Sequence, residues 1–142
     1  MEIPQVVHDY VDAFAHADVD RCADTFAADG TYTDPGTGGP LSGQALRDHF
    51  TAFFGGFPDA TCETVSLYPI TEHLSAWRWL LRGTNTGSYR GIPATGRSLI
   101  LPGCEFLDVR GGKLHQVDGY FDRLTILAQL GLATVLAAPA AG

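Results

Sequence analysis

The first half of the chain carries apolar residues at steps of three and four, which is the spacing of one buried helix face. One stripe begins after Pro4 and a second after Asp18, a residue type that caps helices, so a helical hairpin is predicted. We expect the second helix to include Phe26 and to end at residues 28–30. A third stripe after Ser42, another candidate cap, predicts a third helix that ends at the sequence GGFPD.

From residue 60 the apolar period changes to two, which is typical of strands with one buried face. The sequence VRGGK at 109–113 predicts a hairpin turn. Asp122 is a candidate cap for a short C-terminal helix, after which the Ala-rich tail from Ala133 has little to fix it. Helices followed by strands predict an α+β fold, with three N-terminal helices on one face of a curved antiparallel sheet. A strongly bent sheet of this kind encloses a pocket lined or floored by aromatic residues.

Length and charge narrow the class of protein. A chain of 142 residues that is 45% apolar is expected to form one domain, residues 1–142, with a substantial core. A net charge of −7, with scattered Lys and Arg, argues against a nucleic-acid partner. Neither a membrane span nor a signal peptide is evident, so a cytoplasmic protein without a membrane partner is expected. Three widely spaced cysteines favour core positions over disulfides or a zinc site: Cys22, Cys62 and Cys104.

The sequence TYTDPGTGGP at 31–40 contains a candidate catalytic carboxylate. Asp34 ends a short strand predicted to begin at Thr31, and five residues with little side-chain bulk follow it. An Asp before Pro-Gly also forms surface turns with no further role. A ligand could nevertheless approach this carboxylate closely, so a turn and a functional site are both open readings.

Glu105 is an anomaly of the strand predicted over residues 97–110. Leu99, Leu101 and Leu107 share its parity, whereas Asp108 has the opposite parity, so Glu105 lies on the apolar face. An apolar surround raises the pKa of a carboxyl group, and a protonated carboxyl can donate a hydrogen bond to an oxyanion. A bulge that reverses the parity, or pairing with one of two nearby arginines, would remove the anomaly. Those arginines are Arg78 and Arg82.

Motifs for several other chemistries are missing from the sequence. It contains no phosphate-binding loop, dinucleotide fingerprint, nucleophile elbow or metal-spaced histidine pair. Tyr10 lies on the apolar stripe of the first helix, where most tyrosines are core residues. Side-chain acid and base chemistry without a cofactor or metal is the remaining catalytic class. Five isolated histidines are expected to be surface or half-buried residues: His8, His16, His49, His73 and His115.

Four segments along the chain carry a family resemblance. They are YVDAFAHADVDRCADTFAADGTYTDPGTGGPLSG, FPDA, LRGTNTGSYRGIPATGR and YFDRLTILAQLGL. Together they resemble the SnoaL-like polyketide cyclases, part of the nuclear transport factor 2-like superfamily that also contains ketosteroid isomerase. The resemblance extends from Val6 to about Leu132. The stretch from GTNTG to PATGR and the QLG ending are fairly specific to the SnoaL-like group, whereas YTDP is shared more widely.

The resemblance implies a fold and a chemistry. The fold is a cone-shaped barrel of a curved antiparallel sheet packed against three helices, usually a homodimer, with the active site inside the cone. Neither a metal nor an organic cofactor is implied. The cyclases of the family close a ring by intramolecular aldol condensation of a polyketide ester and use a carboxylate to move protons.

Site residues follow from the same resemblance. Tyr10 and Asp34 have the spacing of the tyrosine donor and aspartate base of ketosteroid isomerases, and Glu105 stands where those enzymes hold a protonated aspartic acid. In the SnoaL-like cyclases, Asp34 matches an asparagine and Glu105 a histidine. The essential aspartate of the cyclases aligns with Gly119, a departure from the family pattern. Asp118 is one residue away but would point outward unless a bulge intervenes.

The leading hypothesis is an acid/base lyase or isomerase for a hydrophobic polyketide or polycyclic ketone. In it, Asp34 abstracts a proton α to a carbonyl, and Tyr10 with protonated Glu105 stabilises the enolate. Alternatives are water activation for epoxide opening, a hydroxylation component that works beside a reductase, and a non-catalytic binding module. The residues expected to contact the ligand are Tyr32, Phe50, Phe54, Trp77, Trp79 and Gly119.

Overall fold

The computed structural model describes residues 1–132, so the prediction for the tail from Ala133 lies outside the described residues. The architecture is α+β, as predicted, with helices packed against a curved sheet. The helices are α1 (Gln5–Ala15), α2 (Val19–Asp24), α3 (Gly43–Gly56) and α4 (Arg123–Gln129). The strands are β1 (Phe26–Thr33), β2 (Thr61–Pro69), β3 (Leu74–Thr84), β4 (Ser98–Arg110) and β5 (Lys113–Phe121).

The helical hairpin forms as predicted, but its second helix is shorter than expected. Asp18 caps α2 by accepting a hydrogen bond from the backbone N–H of Arg21. The helix ends at Asp24, and Phe26 already belongs to β1, where it pairs with Leu114. The predicted stop at 28–30 is instead an irregularity inside that strand. A Cβ at Gly30 would lie 2.5 Å from the Leu114 carbonyl oxygen, so the chain needs glycine for this close approach.

The strand order is β1-β5-β4-β3-β2, and the sheet is open. β2, β3, β4 and β5 pair antiparallel in succession, whereas β1 runs parallel to β5, so the sheet is mixed rather than wholly antiparallel. Strands joined by a hairpin must be antiparallel. β1 and β5 are far apart in the sequence, so no hairpin turn forces that direction on them. The β4–β5 hairpin turns at Gly111 and Gly112, with φ values of 57° and 75°, as the sequence VRGGK predicted.

α3 carries the predicted apolar stripe into the core, where Leu46, Phe50 and Phe54 are buried. Ser42 precedes the helix but makes no side-chain capping bond. Alternation along β3 and β4 directs Trp77, Trp79 and the odd-numbered leucines toward the helices. The core therefore lies between the inner face of the sheet and the helices. Within residues 1–132, no helix is both long enough and apolar enough to span a membrane.

Candidate active site

A cavity of about 290 Å³ lies between the inner face of the sheet, the helices and the loop from 85 to 97. Its wall is mostly aromatic and aliphatic, which is the usual lining of a site for an apolar ligand. The aromatic and histidine residues that line it include Phe14, Tyr32, His49, Phe50, Trp79 and Phe121. The charged residues of the lining are Asp34, Arg90, Glu105 and Arg123.

Asp34 lies at the cavity in the turn that follows β1, and it is only 8% exposed. Its Oδ1 accepts a hydrogen bond from the backbone N–H of Gly36 at 2.6 Å. Its Oδ2 accepts one from the Tyr32 hydroxyl at 2.8 Å and lies 3.0 Å from Nε2 of His49. The turn that the sequence predicted therefore holds a carboxylate whose two oxygens are both hydrogen-bonded.

These contacts decide the charge of Asp34. Burial alone would raise its pKa, but hydrogen bonding and charge from His49, with the bonds from Gly36 and Tyr32, outweigh burial and lower it below the ordinary value. Asp34 is therefore ionised at neutral pH. It is also a weak base by itself, because three donors stabilise its charged form.

His49 lines the cavity but was missed as a site residue, although it is half-buried as expected. It lies on α3 beside the buried stripe, three residues after Leu46, and that helical spacing was the available signal. Its Nδ1 lies 3.4 Å from Nη2 of Arg90. A guanidinium only donates, so these partners assign Nδ1 as the acceptor and Nε2–H as the donor to Asp34. The pair has the arrangement of a base held in one tautomer by a carboxylate.

Glu105 faces the inner side of the sheet and is 1% exposed, as its parity predicted. It stands opposite Trp77 on β3 and Gly119 on β5. Its Oε1 accepts a hydrogen bond from the Tyr10 hydroxyl at 2.7 Å. Arg78 and Arg82 are exposed, and neither forms an ion pair with Glu105 in the described part of the chain.

Burial raises the pKa of Glu105 to about 7. The hydrogen bond from Tyr10 opposes the rise, and the negative charge of Asp34 adds to it. Near neutral pH, Glu105 is thus partly protonated and can donate a hydrogen bond. Asp34 and Glu105 face one cavity with opposite shifts of pKa.

Two buried polar atoms beside the cavity have no hydrogen-bond partner among residues 1–132, namely Oε2 of Glu105 and Nε1 of Trp79. The Trp79 indole is near enough to lower the pKa of Glu105, yet the two atoms do not reach normal hydrogen-bond geometry. Unpaired buried polar atoms are costly and uncommon. A ligand oxygen between them would satisfy both.

Tyr10 is fully buried behind Glu105 rather than in the cavity wall. Burial raises the pKa of its phenol well above the ordinary value, so the hydroxyl stays protonated and donates to Glu105. Tyr10 therefore contacts Glu105 and does not line the cavity. Trp77 and Phe54 also pack behind the lining, where the Trp77 indole N–H donates to the Thr64 hydroxyl at 2.9 Å.

Gly119 and Asp118 occupy opposite faces of β5. The register from Glu105–Gly119 to Phe106–Asp118 is regular, so no bulge turns Asp118 inward. The Asp118 carboxylate instead accepts a hydrogen bond from Gln116 at 2.8 Å. A Cβ at Gly119 would lie 3.4 Å from Cγ of Glu105 and 3.5 Å from Cβ of Asp34. Gly119 thus lies between the two inner carboxyl groups without lining the cavity itself.

Within residues 1–132, no three His, Cys, Asp or Glu side chains are grouped as a metal site. Cys22 and Cys62 are buried and Cys104 is half-buried, and all three are free thiols.

Comparison with known proteins identifies the family. The family model of SnoaL-like polyketide cyclases matches residues 4–130. A search of curated protein sequences found no match.

Three similar solved structures support the fold. IdmH of Streptomyces antibioticus, provisionally named a polyketide cyclase, is 27% identical, with a TM-score of 0.74 over 89% of this chain and 96% of that one. AclR of Streptomyces galilaeus, provisionally named a hydroxylase, is 20% identical, with a TM-score of 0.78 over 89% of this chain and 93% of that one. A Catenulispora acidiphila protein described as having a ketosteroid isomerase-like fold is 20% identical. Its TM-score is 0.76 over 92% of this chain and 95% of that one. The chain belongs to the SnoaL-like polyketide cyclase family.

Proposed function

We propose that this protein is a cofactor-independent acid/base enzyme that enolises a hydrophobic polyketide or polycyclic ketone, for ring closure by aldol condensation or for isomerisation. The observation that carries the proposal is the pair of carboxyl groups with opposite pKa shifts at one apolar cavity. When the surroundings of two titratable groups drive their pKa values apart, one group can serve as the base and the other as the acid.

The base is the Asp34–His49 pair. Asp34 alone is weakened by its three donors, whereas His49 has an acceptor nitrogen and a carboxylate that stabilises the imidazolium formed on protonation. Removal of the α proton by this pair leaves the electron pair of the C–H bond in an enolate. The proton then resides on Nδ1 of the imidazole, and Nε2–H remains hydrogen-bonded to the Asp34 carboxylate.

The acid is Glu105. Its protonated Oε2 and the Trp79 N–H lie beside the cavity without a hydrogen-bond partner in residues 1–132. A substrate carbonyl oxygen between them would accept both hydrogen bonds. Negative charge that develops on this oxygen strengthens both bonds, which lowers the barrier. The enolate carbon then attacks a second carbonyl to close a ring, or is reprotonated elsewhere to give an isomer.

The substrate class rests on the lining and on the family. An aromatic wall suits a fused or conjugated ring system, and the residues of the wall include Tyr32, Phe50 and Trp79. IdmH, which is 27% identical, carries a polyketide cyclase name. Both favour a polyketide-type ketone over a sugar or a nucleotide.

The test is exchange of the α hydrogens of 2-tetralone in D₂O, followed by proton NMR. This probe reports proton abstraction without requiring the natural substrate. Asp34→Asn and His49→Gln should each slow exchange by about 10²- to 10⁴-fold, which is the usual contribution of a general base. Glu105→Gln should slow it by at least about tenfold, since an amide is a poorer donor than a carboxylic acid.

Asp108→Asn is the matched control, because Asp108 belongs to the outer parity of β4 and contacts Arg110. It should leave the exchange rate unchanged. Exchange at the wild-type rate in both Asp34→Asn and Glu105→Gln would overturn the proposal. Incorporation of ¹⁸O from labelled water into an epoxide probe, or turnover that requires a reduced cofactor and oxygen, would instead support epoxide opening or hydroxylation.

We also propose that the protein forms a homodimer through the outer face of the sheet. Phe106 is 37% and Tyr120 56% exposed, and their rings meet edge to face at 6.0 Å. Ile100 is exposed on the same parity of β4. An exposed apolar sheet face favours association with a matching surface. Sedimentation of wild type at twice the monomer mass, and of Tyr120→Glu at the monomer mass, is the expected result.

A further inference from the structure

Two arginines stand together at the mouth of the cavity. Nη1 of Arg90 donates to the carbonyl of Gly36 at 2.8 Å, and Nη1 of Arg123 reaches the carbonyl of Pro35 at 3.4 Å. The two guanidinium groups therefore contact the carbonyls of two consecutive residues in one turn. Both side chains line the cavity, and both residues are exposed at its rim.

Three of the nine Lys and Arg residues form an ion pair within residues 1–132, and these two cations are not among them. Arg21, Arg47 and Arg110 each form an ion pair with an aspartate. Arg90 and Arg123 form none within residues 1–132, although the chain carries a net charge of −7. Where carboxylates are in excess, two unpaired guanidinium groups at one opening form a local positive site.

The nearby carboxylate forms no ion pair with either arginine. Asp34 lies in the same turn, but its oxygens take their hydrogen bonds from Tyr32, Gly36 and His49. Arg90 contributes one guanidinium nitrogen to the Gly36 carbonyl and a long contact to His49, and Arg123 contributes a single long contact to Pro35. Donors remain on both guanidinium groups for a ligand.

We propose that Arg90 and Arg123 bind a carboxylate of the substrate at the cavity mouth, so that the substrate is an aromatic or polycyclic keto acid. The planar fork of a guanidinium matches the two oxygens of a carboxylate. With the acid group at the rim, the ring system lies along the aromatic wall and its ketone reaches toward Glu105. Only this last placement rests on the proposed function, because the anion site itself requires no reaction.

The test compares 2-naphthoate with its neutral isostere 2-naphthamide by isothermal titration calorimetry. Wild type should bind the acid at least about tenfold more tightly, since two charge-assisted contacts are added. The preference should weaken with added NaCl and disappear in the Arg90→Gln/Arg123→Gln double variant. Arg123→Gln alone should remove a large part of it. This single variant matters because Arg123 makes no contact with His49, whereas Arg90 does.

Arg82→Gln is the matched control, an exposed arginine on β3 that is not part of the cavity, and it should keep the wild-type preference. Equal affinity for acid and amide in wild type would overturn the proposal, as would a preference that survives in the double variant. If the protein binds 2-naphthyl phosphate tenfold more tightly than 2-naphthoate, the site is one for a phosphate, and the proposal of a carboxylate ligand is overturned. Because binding is measured without turnover, a preference for the acid in a protein that fails to exchange 2-tetralone would refute only the proposed function.

Discussion

Asp34 and Glu105 carry the same functional group at the same cavity, and their surroundings drive their pKa values in opposite directions. Asp34 receives hydrogen bonds from a backbone N–H, a tyrosine and a histidine. Glu105 receives one, from Tyr10, and is 1% exposed. The number of donors, rather than burial alone, decides which carboxyl group is ionised at neutral pH.

The two sites also differ in how the fold supplies their partners. The donors to Asp34 include Tyr32 and Gly36 from its own strand and turn, so most of this site is local in sequence. Tyr10, the donor to Glu105, is 95 residues away. A local turn thus creates a carboxylate, whereas the packing of α1 on the sheet creates a buried carboxylic acid. The following substitutions test this difference.

The largest expected effect on stability is the pH dependence caused by Glu105. Its folded pKa of about 7 lies above its ordinary value of 4.5, so the folded protein binds this proton more tightly than the unfolded chain does. The associated stability is present below about pH 4.5 and is lost as pH rises through about 7. At about 1.4 kcal/mol per pKa unit, the loss is on the order of 3 kcal/mol. Urea unfolding from pH 5 to 8 should show this decline in wild type and not in Glu105→Gln.

Asp34→Asn is the matched substitution for that experiment. The lowered pKa of Asp34 gives stability that is present above its ordinary pKa of 3.8 and is lost as pH falls below it. This variant should therefore lose the pH dependence in the acid range. It should keep most of the decline between pH 5 and 8, reduced only by the share of the Glu105 shift that the Asp34 charge causes. Parallel curves for wild type and Glu105→Gln across pH 5 to 8 would contradict the buried-acid assignment.

A smaller effect is expected from the two tyrosine donors. Tyr10→Phe removes the bond that lowers the Glu105 pKa, so that pKa should rise further, and a buried oxygen left without a donor should cost about 1–3 kcal/mol. Tyr32→Phe removes the equivalent bond to Asp34 and should leave the Glu105 pKa nearly unchanged. Carbon-13 NMR of labelled glutamate side chains measures this titration without any substrate. An equal shift of the Glu105 pKa in both variants would refute the conclusion that Tyr10 and Tyr32 each act on a different carboxyl group.

Much of this arrangement could be predicted from local pattern. The parity of β4 predicted that Glu105 is buried, and the turn composition predicted that a carboxylate follows β1. Tyr10 was expected to face the substrate as a second donor, but its hydroxyl is bonded to Glu105. Sequence periodicity gives the face on which a residue lies, whereas the partner across the core depends on how α1 crosses the sheet.

His49 and the start of β1 show a different limit. The helical spacing of His49 from Leu46 indicates a position beside the core, but only its approach to Asp34 in the folded chain suggests a role. The signal at 28–30 resembled a helix stop because Asp and Gly favour turns. In the fold, glycine is there because Gly30 approaches the Leu114 carbonyl oxygen closely. Glycine at this position therefore permits a close backbone approach within the sheet rather than ending a helix.

The smallest expected effect comes from Gly119, which lies between the two carboxyl sites. An added Cβ would make ordinary contacts, 3.4 Å to Glu105 and 3.5 Å to Asp34, and the backbone there is not in the left-handed region. Gly119→Ala should therefore be neutral or stabilise the fold by up to about 1 kcal/mol, because alanine restricts the unfolded chain. Gly119→Asp would instead place a third carboxyl group against both sites, raise the Glu105 pKa through like-charge repulsion, and destabilise the fold more at pH 8 than at pH 5. Urea unfolding of both variants at these two pH values measures the difference. A loss of more than about 1 kcal/mol in Gly119→Ala would mean that the two sites have no room between them, and that their pKa values cannot be set independently.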